Sequence, residues 1–222
     1  MATKSKEKSE SDTRIRKGDA TRAAILAATA RRFAEKGYAD CTLREIAALT
    51  DMKAGSIYYH FPSKEKLLEE VIRTGTDRLT EAVLYDLSQL DDGADAATKL
   101  RTLIRAHVSC FLDIRGDANT FLRIYEYLPP VMRRKTRPMR VAYAQLWFDI
   151  FDEGVESGEF VQNVDRNLFI PFLLQSLNGI IEWFSPSRMT IDGACEMIDH
   201  VVLSGILDPG ASPTSRGLRA AR

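Results

Sequence analysis

The chain has 222 residues with 31 basic and 31 acidic side chains, and 45% of it is hydrophobic, a profile that allows a full core and excludes disorder throughout. No apolar run is long enough to cross a bilayer, and the Lys/Glu/Ser-rich amino terminus has no apolar signal segment, so a cytoplasmic protein without a membrane partner is expected. Cys41, Cys110 and Cys195 are odd in number and widely separated, which argues against a disulfide framework or a zinc site and for free thiols. The zero net charge hides an asymmetry: residues 1–73 carry 15 Lys/Arg against 11 Asp/Glu, and the remainder 16 against 20. A basic end joined to an acidic body fits nucleic-acid binding at one end only.

Residues 1–18 are polar, charged and aperiodic, and predict a disordered arm. Its Arg14, Arg16 and Lys17 serve either a solvated tail or a basic arm entering a minor groove. From Asp19 to Lys36, Ala23, Leu26, Ala27, Ala30, Phe33 and Ala34 recur at helical spacing, and Gly37 ends the helix.

The stretch from Thr42 to Phe61, TLREIAALTDMKAGSIYYHF, reads as two short helices around a sharp turn. Thr42 with Glu45 three residues on has capping-box spacing, and Leu43, Ile46, Ala47 and Leu49 supply an apolar stripe while Arg44 and Glu45 point outward. The turn falls at Thr50-Asp51-Met52, and a second helix from about Lys53 to Tyr59 opens with small Ala54, Gly55 and Ser56, where bulk would keep its backbone off a duplex. With the preceding helix, and with Tyr38, Ile57 and Phe61 in its small core, this predicts a three-helix DNA-binding domain over residues 19–73.

Pro62-Ser63 starts a connecting helix, with Ser63 as its N-cap and Leu67, Leu68, Val71 and Ile72 on its apolar face; a continuation through Leu79, Val83 and Leu87 is expected after a break near Gly75. Beyond the loop at Asp91-Asp92-Gly93 the pattern is helical to residue 207. Leu100, Leu103, Ile104, His107, Val108 and Phe111 share one face, and Val141, Ala144, Phe148, Phe151 and Val155 share another, separated by Leu128-Pro129-Pro130. Leu168 to Phe184 has hardly any polar face and must be buried on more than one side. A last helix spans about Thr190 to Leu207, and residues 208–222 read as a disordered tail. The fold class expected is all-α: the DNA-binding domain, then a larger helical domain over residues 74–207 for ligand binding and dimerisation.

No phosphate-cradling Gly loop, nucleophile elbow or HExxH stands in the chain, so neither catalysis, a metal nor a cofactor is implied. Asp149, Asp152, Glu153 and Glu156 read as a solvated helix face. His107 on its apolar stripe is either a satisfied core histidine or a polar handle in a ligand cavity. For such a cavity Phe111, Tyr125, Trp147 and Phe172 are the candidate partners among aromatics that also include Phe121, Tyr127, Tyr143, Phe148 and Trp183.

TLREIAALTDM followed by AGSIYYHFPSKEKLL resembles the signature of the TetR/AcrR family of one-component bacterial transcriptional repressors. The resemblance implies that Thr42, Tyr58, His60 and Lys64 meet phosphates and that Arg44, Lys53, Ala54 and Ser56 lie against bases or nearby backbone. Two departures stand out: Asp51 replaces the usual turn Gly, and Lys53 replaces a frequent hydroxyl N-cap. The resemblance also implies a homodimer through the last two helices, here Phe169, Leu173, Leu177, Ile180, Ile198 and Val202, binding a pseudo-palindromic double-stranded operator and released by a small effector. EWFSPS at Glu182–Ser187 resembles a segment of family members that sense acyl or steroid-derived CoA esters, which makes acyl-CoA-like molecules the first effector class to test. The alternative from another class is a helical small-molecule-binding or protein-interaction module whose DNA-binding domain no longer binds an operator. A third and weaker alternative is an activator instead of a repressor, which the residues do not distinguish.

Overall fold

The computed structural model describes residues 2–112, 124 and 128–209, with side chains from Gly18 onward except Ala54. Phe121, Tyr125, Tyr127 and the tail from Gly210 lie outside the described residues. The architecture is all-α: α1 (Ala2–Lys36), α2 (Leu43–Leu49), α3 (Ala54–His60), α4 (Lys64–Ser88), α5 (Ala96–Leu112), α6 (Pro130–Glu156), α7 (Arg166–Asn178), α8 (Ile180–Trp183) and α9 (Ile191–Ile206). No strand occurs among the described residues, where one isolated antiparallel bridge joins Phe160 to Leu207. No helix there is long and apolar enough to cross a membrane.

The described residues divide into two compact units. One holds the chain through Thr76 together with 128–137; the other holds 77–112 and 138–209. The first division falls at Thr76, not Arg73, and the first turns of α6 belong to the amino-terminal unit, which chain order alone does not reveal.

In the first unit α1 begins at Ala2, so residues 2–18 extend the helix where a disordered arm was expected. Ile25, Leu26, Ala28, Ala30 and Phe33 are the buried side of α1, whereas Ala23 is exposed. Gly37, at φ +81°, donates its N–H to the Phe33 carbonyl and closes the helix as a left-handed C-cap. Ser63 accepts from the Lys66 N–H at 3.2 Å and caps α4. That helix then runs unbroken through Gly75. A helical Gly costs about 1 kcal/mol, less than what burial of Leu67, Leu68, Val71, Ile72, Leu79 and Val83 returns.

In the second unit α5 is the central helix, with α7, α8 and α9 packed on it. Asp95 accepts from the Thr98 N–H at 2.7 Å, and the Glu159 carboxylate accepts from the N–H groups of Ala96 and Ala97 at 3.4 and 3.2 Å, so two carboxylates satisfy the α5 amino terminus. Leu100, Leu103, Ile104, His107, Val108 and Phe111 are all buried, as their spacing predicts. On α6 the expected face is rotated: Tyr143, Trp147, Ile150 and Phe151 are buried, whereas Val141 is exposed and Ala144, Phe148 and Val155 are half-buried. Both stripes have helical spacing, and the structure buries the one carrying the indole.

The single helix expected over Leu168–Phe184 is two, α7 and α8, parted at Gly179. Ile170, Leu173, Leu177 and Ile180 are buried, whereas Leu168 and Phe172 remain 72% and 70% exposed. Phe160 packs on Phe151, whose ring also meets Phe169 at 5.3 Å. A Cβ on Gly154 would stand 2.1 Å from the Phe160 ring. Gly154→Ala should therefore cost about 1–3 kcal/mol by overpacking, read as a lower midpoint in urea denaturation; an unchanged midpoint would show that the ring moves freely.

Candidate nucleic-acid interface and effector cluster

α2 is capped at its start, and the turn to α3 is closed by the Met52 N–H donating to the Ala47 carbonyl at 2.9 Å. Thr42 Oγ1 accepts from the Glu45 N–H at 3.2 Å, and Glu45 Oε2 accepts from the Thr42 N–H at 2.8 Å, which completes the capping box. The Thr42 N–H, then the Lys36 ammonium, hold the Glu45 carboxyl down at about 2. Asp51 takes φ +53°, the left-handed turn that its short polar side chain tolerates. Lys53 is the N-cap of α3 and makes no side-chain cap hydrogen bond, as its missing hydroxyl predicts. Ile57 and Phe61 anchor α3 in the core, and Leu49, assigned to the buried stripe of α2, is 56% exposed.

Thr42, Arg44, Lys53 and Tyr58 are exposed, Ser56 and His60 half-buried, and the Ala54 side chain lies outside the described residues. Among the described residues neither the Arg44 guanidinium nor the Lys53 ammonium has a hydrogen-bond or ion-pair partner, so both charges are available to an external anion. Tyr59, given no role by the sequence, is 88% exposed beside Tyr58 at 53%. Gly55 is exposed and a Cβ there would meet nothing within 4 Å, so packing within the chain does not demand a glycine. Lys64 is already engaged: its ammonium donates to the Ala39 carbonyl at 3.1 Å and lies 4.4 Å from the Tyr38 ring centroid. It can reach a phosphate only by sharing or releasing these partners.

In the second unit His107 is satisfied on both nitrogens. Nδ1 lies 2.8 Å from the Tyr143 hydroxyl and Nε2 lies 3.2 Å from Asn178 Oδ1, so the neutral ring accepts from Tyr143 and donates to Asn178. Phe111 stacks on the imidazole at 4.6 Å and Trp147 meets it edge-on at 5.6 Å. Burial pushes His107 down to about 4, against the Asn178 bond that favours the cation, and pushes the Tyr143 phenol up. Trp147 Nε1 stands by the same hydroxyl, without hydrogen-bond geometry.

The structure thus brings together His107, Phe111 and Trp147 of the predicted ligand set and adds Tyr143 and Asn178. Tyr143 was legible as the aromatic one turn before Trp147; no spacing or motif marked Asn178. Phe172 is not in this cluster. It lines an open depression with Val164, Asp165, Leu168 and Phe169. The predicted dimerisation set divides as well: Leu173, Leu177, Ile180 and Ile198 are buried inside the chain, and Phe169 and Val202 are half-buried. The near absence of a polar face made both sides of α7 read alike, and the side with Leu173 and Leu177 is spent on the core.

Residues 25–71 match the family model described as bacterial regulatory proteins, tetR family, and residues 93–206 match that described as tetracyclin repressor-like, C-terminal domain. The HTH-type transcriptional repressor KstR2 of Rhodococcus jostii (strain RHA1) is 26% identical over 204 residues, covering 89% of this chain and 96% of its own. Among solved structures, PfmR, a TetR family transcriptional regulator from Thermus thermophilus, is 29% identical with a TM-score of 0.66, over 81% of this chain and 97% of its own. AibR in complex with isovaleryl coenzyme A and operator DNA is 25% identical with a TM-score of 0.67, over 84% and 98%.

Proposed function

Since this chain belongs to the TetR family of bacterial regulatory proteins, whose members are regulators and not enzymes, we propose that it is a homodimeric repressor that binds a pseudo-palindromic operator and releases it when a small effector binds. The observation that carries the reading is the pair of exposed cations, Arg44 on α2 and Lys53 at the start of α3, whose side chains have no partner among the described residues, on a helix-turn-helix whose first helix carries a complete capping box. Arg44 reads a base edge, Tyr58 and His60 donate to phosphates, Thr42 does so by releasing the hydroxyl bond it donates to Glu45 Oε2 at 3.0 Å, and Ala54 and Ser56 let the backbone approach. The outward apolar residues of α7 and α9, Leu168, Phe172, Met197 and Val201, replace the inward ones as the proposed dimer contact.

The effector site proposed is the cluster of His107, Phe111, Tyr143, Trp147 and Asn178. It is apolar apart from neutral hydrogen-bonding groups, which suits an acyl chain or a carbonyl and leaves no counter-charge for a carboxylate. Support for an acyl-CoA-like effector comes from the AibR complex with isovaleryl coenzyme A. Release requires that the effector prefer the arrangement that cannot bind DNA, with roughly 1–3 kcal/mol of reciprocal coupling. α4 is the lever in this reading, because it starts next to α3 in the chain and runs unbroken to Ser88.

Binding to a duplex enriched from random DNA tests the DNA roles. Arg44→Ala should relax preference at one symmetric base position at a cost of roughly 1–3 kcal/mol. Lys64→Ala should lower the logarithmic salt slope by about one for each phosphate that Lys64 neutralises, whereas Tyr58→Phe should weaken binding and barely move the slope. A uniform loss across positions in Arg44→Ala would reassign Arg44 to the backbone. An unchanged slope in Lys64→Ala would leave Lys64 a purely internal brace of Ala39 and Tyr38.

A further inference from the structure

Arg22 on α1 belongs to none of the sets above, yet its guanidinium meets the last residue of α3, the C-cap that follows it and α4. One Nη donates to the main-chain carbonyl of His60 at 3.2 Å, the other donates to Glu70 Oε2 at 2.7 Å, and the central carbon lies 4.4 Å from the centroid of the Phe61 ring. His60 is the last residue of α3, where helical carbonyls lack partners within the helix. Phe61 is 1% exposed, so the stacked surface cannot drift. Glu70 stands on α4 and is held a second time by Arg73. Half-burial raises the Glu70 carboxyl, and the bonds from Arg73 and Arg22 more than offset this and hold it below the usual carboxylate range.

We propose that Arg22 is a positioning residue that fixes the end of the recognition helix α3 against α1 and α4, so that operator reading depends on a side chain that does not touch DNA. The inference rests on the operator-binding reading. A planar guanidinium suits the task because it stacks and donates along two edges at once, which an ammonium does not. Its two donor edges are turned onto Glu70 and the His60 carbonyl and its face onto Phe61, so it offers little to a phosphate. Glu70 is the counterpart: it orients Arg22, and through Arg22 the last turn of α3.

The test measures binding of the wild-type-enriched duplex, and of a random duplex of equal length, over a salt series, with folding checked by thermal melting. Arg22→Gln should lose about tenfold on the enriched duplex, the scale of one hydrogen bond to a charged group, with the salt slope unchanged. Arg22→Lys should recover only part of the loss. Glu70→Gln removes a negative charge from a DNA-binding unit, which by general electrostatics tightens binding; positioning predicts the opposite sign, a loss confined to the enriched duplex. A slope lower by about one in Arg22→Gln would make Arg22 a phosphate ligand and overturn the proposal. So would wild-type affinity in folded Arg22→Gln, or tighter binding by Glu70→Gln, which decides the matter if Arg22→Gln does not fold. If the wild type enriches no duplex, the operator reading fails on its own, and amide exchange decides the latch separately. Faster exchange in residues 54–61 of Glu70→Gln, with α5 unchanged, supports it, and unchanged protection refutes it.

Discussion

A Phe172→Asp/Val201→Asp variant should sediment as a folded monomer if the proposed dimer contact is right, whereas Ile180→Asp should fail to fold. Phe172 and Val201 are 70% and 65% exposed, so within one chain an Asp at either costs little, within about 0.5 kcal/mol for a surface change. Across a two-fold axis each substitution appears twice, placing unpaired carboxylates in an apolar contact, and that cost falls on the dimer alone. Ile180 is fully buried at the start of α8, so an Asp there must be protonated or exposed at about 3–5 kcal/mol, enough to unfold a typical domain. Sedimentation velocity with far-ultraviolet circular dichroism separates the two results. A double variant that stays dimeric would move the interface off these faces.

His107 should make the protein lose about 3 kcal/mol of stability as the pH falls from 6.5 to 4, and His107→Gln should lack that loss. The folded value, about 4, lies below the ordinary 6.5 because burial disfavours the cation. The unfolded chain takes up the proton as the pH drops through 6.5, and the folded chain does not until about 4. The contribution is therefore complete above the upper value and is lost across the window. Carboxylates held low act further down: the stability from Glu45 is present above its ordinary range and lost only as the pH falls through about 2. The difference between urea midpoints of wild type and His107→Gln isolates the imidazole. Parallel pH profiles would mean that His107 opens to solvent and that the neutral cluster proposed for the effector does not exist.

The helix-turn-helix was legible because its signals are local. Thr42 and Glu45 specify a cap within one turn, Asp51 tolerates the backbone the turn needs, and Ile57 and Phe61 repeat at helical spacing. The latch at Arg22 was not legible, since its partners lie 38 and 48 residues away and no spacing announces them. Gly75 misled because a glycine punctuates only when packing does not outweigh it, and α4 packs on both sides of it. On α6 and α7 two apolar stripes competed. Which one faces the core depends on α5, whose position no local pattern encodes, so Trp147 fell inside while Val141 and Phe172 fell outside. The His107 cluster lay between: its stripe was legible, but the bonds to Tyr143 and Asn178, which make it neutral and satisfied, join residues 36 and 71 positions apart.

Whether this helix-turn-helix reads DNA as one half of a symmetric pair is decided by sequencing the duplexes that the 222-residue protein enriches from a random pool. The expected product is a pseudo-palindrome whose half-sites are centred about one helical turn apart, roughly 10 base pairs or a multiple, and whose symmetric positions lose their preference in Arg44→Ala. A pool that stays random after repeated rounds, with the protein folded and dimeric, would contradict it.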